Sequence, residues 1–192
     1  MQSDDVLSLF RSTGALLEGH FRLSSGLHSN GYMQSALVLQ HTDHAAALGR
    51  AIADAVRPLG AQVVLSPALG GLIIGHEVAR GLGVRAIFAE RVDGVLTLRR
   101  GFSLAAGERV LIVEDVVTTG KSTRETIAVA DAAGATAVGA ASIINRGGAV
   151  DLGVPFTALA TVSFPTWPAD QLPEWLAAVP VTKPGSRPGA TP

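Results

Sequence analysis

Two adjacent carboxylates follow an apolar run in this sequence, and a loop of hydroxyl and backbone donors follows them. The stretch is VLIVEDVVTTGKST, residues 110–123, and its carboxylates are Glu114 and Asp115. Such a pair can accept hydrogen bonds from two sugar hydroxyls and stabilise positive charge that develops on the sugar ring. The loop leads into a predicted helix, whose N-terminus and backbone N–H groups can hold a phosphate. The stretch predicts a sugar-phosphate site, and the alternative is a solvated acidic turn before an ordinary capped helix.

Two nucleotide-binding patterns match only in part. GKST at 120–123 lacks the glycine that the pattern GxxxxGK[ST] requires five residues before Gly120, because Asp115 stands there. A carboxylate at that place would repel a triphosphate. GLGVRA at 81–86 half-matches GxGxx[GA], but it follows a predicted helix and enters a predicted strand, which is the reverse of the required context.

The elements that must position these residues alternate between strands and helices. Apolar runs predict strands over 62–66, 84–90, 108–115, 135–146 and 156–162. Helical spacing and capping residues predict helices over 4–17, 42–56, 71–83 and 122–134. This alternation predicts an α/β fold with a central, mostly parallel sheet flanked by helices. Because ligands bind at the carboxyl ends of such strands, one cleft should receive the loops after Ser66, Glu90, Asp115 and Arg146.

Three segments fall outside the alternation. Residues 18–40 indicate a loop or hairpin that leads to a strand at ALVL, 36–39. Residues 91–107 form a long connection with three arginines, and long connections inside compact domains are often functional lids. Residues 181–192 are rich in proline and glycine and predict a disordered tail behind a single domain over 1–180.

Composition excludes several classes of protein. Hydrophobic residues make up 47% of the 192 residues and charged residues 16%, which is typical of a globular domain. A net charge of −1 argues against general binding to nucleic acid or anionic membranes. The absence of cysteine excludes thiolate nucleophiles and cysteine metal sites. The sequence has neither a secretory signal nor an apolar run long enough for a membrane span, so we expect a cytoplasmic protein.

The stretch 110–123 resembles the phosphoribosyl-diphosphate motif of type I phosphoribosyltransferases, in which an apolar strand precedes two acids and a TxGx[ST] loop. Residues 19–40 and 142–148 (SIINRGG) resemble segments of the members that act on orotate. The resemblance covers most of the chain from about residue 15 to 165. It implies the type I phosphoribosyltransferase fold, with a small N-terminal hood over 18–40 and a flexible lid over 91–107.

The resemblance also implies a reaction. The phosphoribosyl group of 5-phosphoribosyl 1-diphosphate is transferred to N1 of orotate, giving orotidine 5′-monophosphate and pyrophosphate in the de novo synthesis of pyrimidine nucleotides. It implies small-molecule substrates, a homodimer, and Mg²⁺ bound mainly through the substrate diphosphate. We therefore predict no dedicated protein metal site.

Residue roles follow from the same resemblance. Glu114 and Asp115 bind the ribose 2′- and 3′-hydroxyls and, with Arg91, are the catalytic residues. The residues expected to contact phosphoribosyl diphosphate are Glu114, Asp115, Val116, Val117, Thr118, Thr119, Gly120, Lys121, Ser122, Gly70, Gly71, Arg91 and Arg100. Thr118, Tyr32 and Arg146 are expected to bind orotate. The planar guanidinium of Arg146 can pair with the orotate carboxylate through two hydrogen bonds.

The chain departs from the family pattern at several positions. Gly70 and Ser24 stand about where many members have lysine, and the lid has neither the lysines nor the histidine of many relatives. Arg91 is the first candidate to replace a catalytic lysine, followed by Arg100. Arginine stays charged but does not readily donate a proton, so this departure favours charge stabilisation of the leaving pyrophosphate over general-acid catalysis.

Two alternative functions remain open. One is a phosphoribosyltransferase for another base, such as a purine, although a purine lacks the carboxylate that Arg146 would bind. The other is a non-catalytic regulator that senses phosphoribosyl diphosphate, which the missing lid lysines favour.

Overall fold

The structure, a computed structural model, describes residues 1–23 and 25–183. Ser24 and residues 184–192, which include most of the predicted tail, lie outside the described residues. The helices are α1 (Ser3–Ser12), α2 (Ser35–Leu39), α3 (Thr42–Val56), α4 (Gly71–Leu82), α5 (Lys121–Ala132) and α6 (Glu174–Ala177). The strands are β1 (Leu16–Arg22), β2 (His28–Met33), β3 (Val63–Pro67), β4 (Arg85–Val92), β5 (Val95–Leu98), β6 (Arg109–Val117), β7 (Thr136–Asn145), β8 (Phe156–Thr161), β9 (Thr166–Trp167) and β10 (Val181–Thr182).

A six-stranded sheet in the order β5-β4-β3-β6-β7-β8 forms the centre of the fold. Its strands pair in parallel, except for β5, which pairs antiparallel with β4. Alternate side chains of β6 enter two different cores: Leu111 packs in the cluster that includes residues of α3 and α4, and Ile112 packs in the cluster that includes Ala130 of α5. Helices thus cover both faces, and the predicted fold class is confirmed.

A second, four-stranded sheet in the order β10-β1-β2-β9 forms the hood. Strands β1 and β2 make the hairpin that the sequence allowed, but β9 and β10 join it from the far end of the chain. Inside this sheet, His20 Nε2 lies 2.6 Å from His28 Nδ1, and His20 Nδ1 lies 2.9 Å from the carbonyl oxygen of Val179. The hood therefore joins β1, near the N-terminus, to β10, at the C-terminal end of the described residues.

Two predictions about these segments are wrong. The ALVL run, predicted as a strand, lies in α2, where Ser35, Val38 and Leu39 are buried at helical spacing while Leu37 is exposed. Val181 and Thr182, assigned to a disordered tail, form β10 instead, because the edge of β1 offers their backbone parallel pairing partners.

The segment predicted as a lid begins with a tight hairpin. Asp93 and Gly94 form a two-residue connection between β4 and β5 with φ values of 48° and 85°, as a type I′ turn requires. Further along, the Phe102 ring packs edge-on against Phe88, with 5.0 Å between the centroids. The flexibility of the lid stays a prediction. Among the residues that the structure describes, no helix is long and apolar enough to span a membrane.

Candidate active site

The two carboxylates at the end of β6 point to different neighbours, as successive side chains of a strand do. Glu114 is 7% exposed, and its carboxylate accepts a hydrogen bond from the hydroxyl of Thr123 on α5. Burial raises the pKa of Glu114, while the hydroxyls of Thr123 and Ser122 oppose the shift. Burial also raises the pKa of Asp115, against the backbone amide of Val116. Glu114 is thus fixed by the helix after the loop, and Asp115 is left facing the neighbouring β3–α4 loop.

The predicted phosphate loop joins β6 to the N-terminus of α5. Thr118 and Thr119 are exposed in it, so their hydroxyls are accessible to a ligand. Gly120 has a φ of 72°, and a Cβ atom there would lie 2.7 Å from the side chain of Leu152, so glycine is required for both conformation and space. Arg124 Nη2 donates to the carbonyl oxygen of Thr119 at 2.8 Å, which holds the loop against its helix. The loop is built as the sequence predicted.

The β3–α4 loop lies directly against the acids. A Cβ atom on Gly70 would lie 2.5 Å from Asp115 Oδ1, and one on Gly71 would lie 2.8 Å from the carbonyl oxygen of Val113. The N-terminus of α4 therefore touches the end of β6, with no room for a side chain between them. This contact brings the predicted diphosphate residues Gly70 and Gly71 together with the predicted ribose-binding carboxylate.

The predicted base-binding residues also meet. The backbone N–H of Arg146 donates to the carbonyl oxygen of Val117 at 2.7 Å, and a Cβ atom on Gly147 would overlap the carbonyl oxygen of Thr118. Arg146 therefore lies beside Thr118. Burial lowers the pKa of Arg146, and the phenol of Tyr32, the third predicted base-binding residue, opposes the shift.

Sequence reasoning missed one residue at this end of the site. The guanidinium carbon of Arg146 lies over the ring of Phe164, 5.4 Å from its centroid. No local pattern marks Phe164, which lies in an irregular connection between β8 and β9. Its contact with Arg146 becomes visible only when the chain is folded.

Two of the three lid arginines, Arg91 and Arg100, are paired with acids. Arg91 Nη2 lies 2.5 Å from Glu125 Oε2 on α5, and Lys121 Nζ lies 3.9 Å from Glu125 Oε1. Arg91 thus lies near the helix that follows the phosphate loop. Arg100 has an unusual φ of 57° and makes two hydrogen bonds of 2.7 Å to Glu90 on β4. The catalytic role of Arg91 and the diphosphate contact of Arg100 stay predictions.

Among the residues that the structure describes, no group of three or more His, Cys, Asp or Glu side chains could hold a metal ion. The two carboxylates at the end of β6 are hard oxygen donors beside the predicted diphosphate loop, a donor set that suits a magnesium ion carried mainly by a substrate. Binding of Mg²⁺ through the diphosphate stays a prediction.

The fold is that of the type I phosphoribosyltransferases, and the residues predicted to bind phosphoribosyl diphosphate at the end of β6, in the loop after it and in the β3–α4 loop lie close together. Residues 38–152 match the family described as the phosphoribosyl transferase domain, and the chain belongs to this family. It is similar to the orotate phosphoribosyltransferase of Pelotomaculum thermopropionicum, with 50% identity over 188 residues that cover 97% of this chain and 99% of that protein. It is 53% identical to the orotate phosphoribosyltransferase of Novosphingobium aromaticivorans, over 97% of this chain and 98% of that protein.

The fold agrees with a solved structure. The crystal structure of orotate phosphoribosyltransferase from Aeropyrum pernix matches with a TM-score of 0.69 over 82% of this chain and 93% of that chain. Since the two sequences are 24% identical, this likeness speaks for the fold alone. The resemblance inferred from residues 110–123 is confirmed at the level of the family.

Proposed function

We propose that this chain transfers the phosphoribosyl group of 5-phosphoribosyl 1-diphosphate to N1 of orotate, giving orotidine 5′-monophosphate and pyrophosphate in pyrimidine synthesis. The observation that carries the proposal is the position of Arg146. It lies beside Thr118, the first residue of the loop after β6 and three residues after Asp115. A guanidinium there suits a base that carries a carboxylate, and orotate is such a base.

The residues indicate a mechanism that depends on position and charge. The bond from C1 to the diphosphate oxygen breaks as the bond from N1 of orotate to C1 forms, and positive charge spreads over C1 and the ring oxygen in between. Glu114 and Asp115 stabilise that charge and orient the ribose through its hydroxyls. The backbone N–H groups at Gly70 and Gly71 bind the diphosphate. Mg²⁺, when bound through the diphosphate, neutralises part of its negative charge.

The lid completes this proposal. Arg91 lies on β4, near the turn of the lid hairpin, and pairs with Glu125 of α5. A pyrophosphate group, with its greater negative charge, would compete with this single carboxylate for the guanidinium. We propose that Arg91 then stabilises the leaving pyrophosphate by charge, without donating a proton.

Turnover tests the proposal directly. The protein is mixed with Mg²⁺, phosphoribosyl diphosphate and orotate, and the loss of orotate absorbance is followed, with a control that omits phosphoribosyl diphosphate. We expect orotate to be consumed only in the complete mixture. If phosphoribosyl diphosphate binds but orotate persists, the chain is a sensor, which the missing lid lysines would explain. If adenine or hypoxanthine is consumed in place of orotate, the chain acts on purines.

We also propose a cytoplasmic homodimer, as the family resemblance implies. Sedimentation at several protein concentrations tests the dimer. Mixing Asp115→Asn with Arg91→Ala protein tests whether the lid acts across the interface. Each variant is impaired alone, and mixed dimers regain one intact site only if Arg91 serves the partner's carboxylates. An unchanged rate on mixing would place the lid over its own subunit's site.

A further inference from the structure

The Arg146 guanidinium is held in an unusual way. Its Nε is buried and has no hydrogen-bond partner among the described residues. Leaving a charged donor unpaired in a buried place is unfavourable, so another interaction must hold the group there. The ring of Phe164, with its centroid 5.4 Å from the guanidinium carbon, supplies a face on which a cation is stabilised.

Phe164 is itself fixed from both sides. In the segment before it, the N–H of Val162 donates to the carbonyl oxygen of Asn145 at 2.9 Å, next to Arg146 in the chain. In the segment after it, the carbonyl oxygen of Pro165 accepts a hydrogen bond of 3.0 Å from the hydroxyl of Ser29 on β2. The Phe164 ring therefore bridges the end of β7 and the hood.

Glycine at position 31 makes room for this ring. A Cβ atom on Gly31 would lie 2.3 Å from Phe164 Cδ1 and 2.4 Å from its Cε1, so any other residue would displace the ring. Gly31 precedes Tyr32, whose phenol acts on Arg146 from the hood. The ring thus contacts the guanidinium of Arg146 on one side and fills the space beside Gly31 of the hood on the other.

We propose that Phe164 is the positioning residue that makes Arg146 selective for a carboxylated base. This inference rests on the proposed function. Because the Arg146 Nε is buried, only the two terminal Nη groups remain to donate hydrogen bonds to a carboxylate. The Phe164 ring sets the plane in which these two groups lie. When the carboxylate of a base lies in the plane of the base ring, its two oxygens can accept two parallel hydrogen bonds from the Nη groups of Arg146. A guanidinium free to rotate would lose that match and bind the same carboxylate less well.

The test replaces the ring and measures each substrate separately. Phe164→Leu keeps an apolar side chain but removes the aromatic face. We expect the orotate KM to rise about 5- to 30-fold, from a cation–π interaction of about 1 to 2 kcal/mol. The KM for phosphoribosyl diphosphate and the midpoint of thermal unfolding should change little. Phe164→Tyr, which keeps the face, should restore an orotate KM near the wild-type value.

A double-mutant cycle with Arg146→Ala separates positioning from general packing. If Phe164 acts through Arg146, adding Phe164→Leu to Arg146→Ala should produce no further rise in the orotate KM. An additive rise, an unchanged KM in the single variant, or an equal rise in the KM for phosphoribosyl diphosphate would each overturn the inference. Should Phe164→Leu fail to fold, Gly31→Ala and Phe164→Met decide the question by the same measurements.

The inference and the proposed function fail in different ways. If the wild-type protein does not consume orotate, the proposed function is wrong, and the base selectivity assigned to Phe164 is wrong with it. If the wild-type protein consumes orotate and the Phe164→Leu variant matches it in every constant, the function stands and only the inference is wrong.

Discussion

Replacing Gly70 with alanine separates catalytic geometry from stability. The backbone of Gly70 has φ −56° and ψ −40°, which alanine adopts readily, so the backbone gives no reason for glycine. A Gly→Ala change at such a position stabilises a fold by about 0.4 to 1 kcal/mol through the unfolded chain. The added methyl group, however, would lie 2.5 Å from Asp115 Oδ1, whereas ordinary contact begins at 3.4 Å. The carboxylate or the loop must therefore move by about 0.9 Å, and displacements of about 1 Å at a reacting centre can reduce rates about 100-fold.

The assay is steady-state turnover with phosphoribosyl diphosphate as the varied substrate, alongside thermal unfolding. We expect Gly70→Ala to lower kcat/KM by about 10- to 100-fold, while the midpoint of unfolding stays level or rises. The matched control is Ile73→Ala on the same helix, whose side chain is 46% exposed and which should retain wild-type kcat/KM. In protein that already carries Asp115→Asn, the Gly70→Ala change should cause little further loss of kcat/KM. Wild-type kcat/KM in folded Gly70→Ala protein would refute the reasoning, as would a loss that merely follows the unfolded fraction.

Three further changes test other parts of the site. Arg146→Ala should raise the orotate KM about 10- to 100-fold, since it removes charge-assisted hydrogen bonds of about 1.5 to 3 kcal/mol, and an unchanged KM would remove this residue from the base site. Arg91→Ala should lower kcat while leaving the orotate KM near wild type, and wild-type rates would show that the catalytic cation lies elsewhere. Glu114→Gln tests the raised pKa of the buried Glu114 carboxyl group. Because the native protein keeps this group protonated to a higher pH than the unfolded protein does, the wild-type free energy of unfolding falls as the pH rises through the folded-state pKa. Glutamine does not ionise, so the free energy of unfolding of the variant, measured by urea titration, should increase relative to that of the wild type as the pH rises. A difference between the two proteins that does not depend on pH would contradict the raised pKa of Glu114.

The central sheet could be predicted because its signals are local. The helix predicted over 42–56 matches α3, Thr42–Val56, since threonine and aspartate mark its start and proline and glycine follow its end. The phosphate site was equally accessible, because a strand end and the next helix N-terminus are adjacent in sequence. The strand–helix order then placed the loops at one edge.

The hairpin at the start of the lid also has a local signal in the sequence. Val92 and Val95 flank Asp93 and Gly94, and an Asp-Gly pair between apolar residues is the strongest short-range indication of a β-hairpin. The length of the segment and its three arginines led to the prediction of a flexible lid over 91–107. Strands β9 and β10 carried no such signal: each has two residues, too few for any periodicity, and each forms only because a distant strand edge is available.

This difference between local and distant signals also divides the site by function. Most of the residues predicted to bind the sugar phosphate follow one another from Glu114 to Ser122, so a short stretch of sequence is enough to indicate the reaction class. The proposed base site uses Tyr32 in the hood, Arg146 at a strand end and Phe164 in a connection, which are far apart in sequence, and the contact between Arg146 and Phe164 forms only in the folded chain. Substitutions in the connection should therefore change the selectivity for the base while the sugar-phosphate site keeps its affinity. A chain could exchange one base for another by altering these distant contacts without touching the motif that identifies its family.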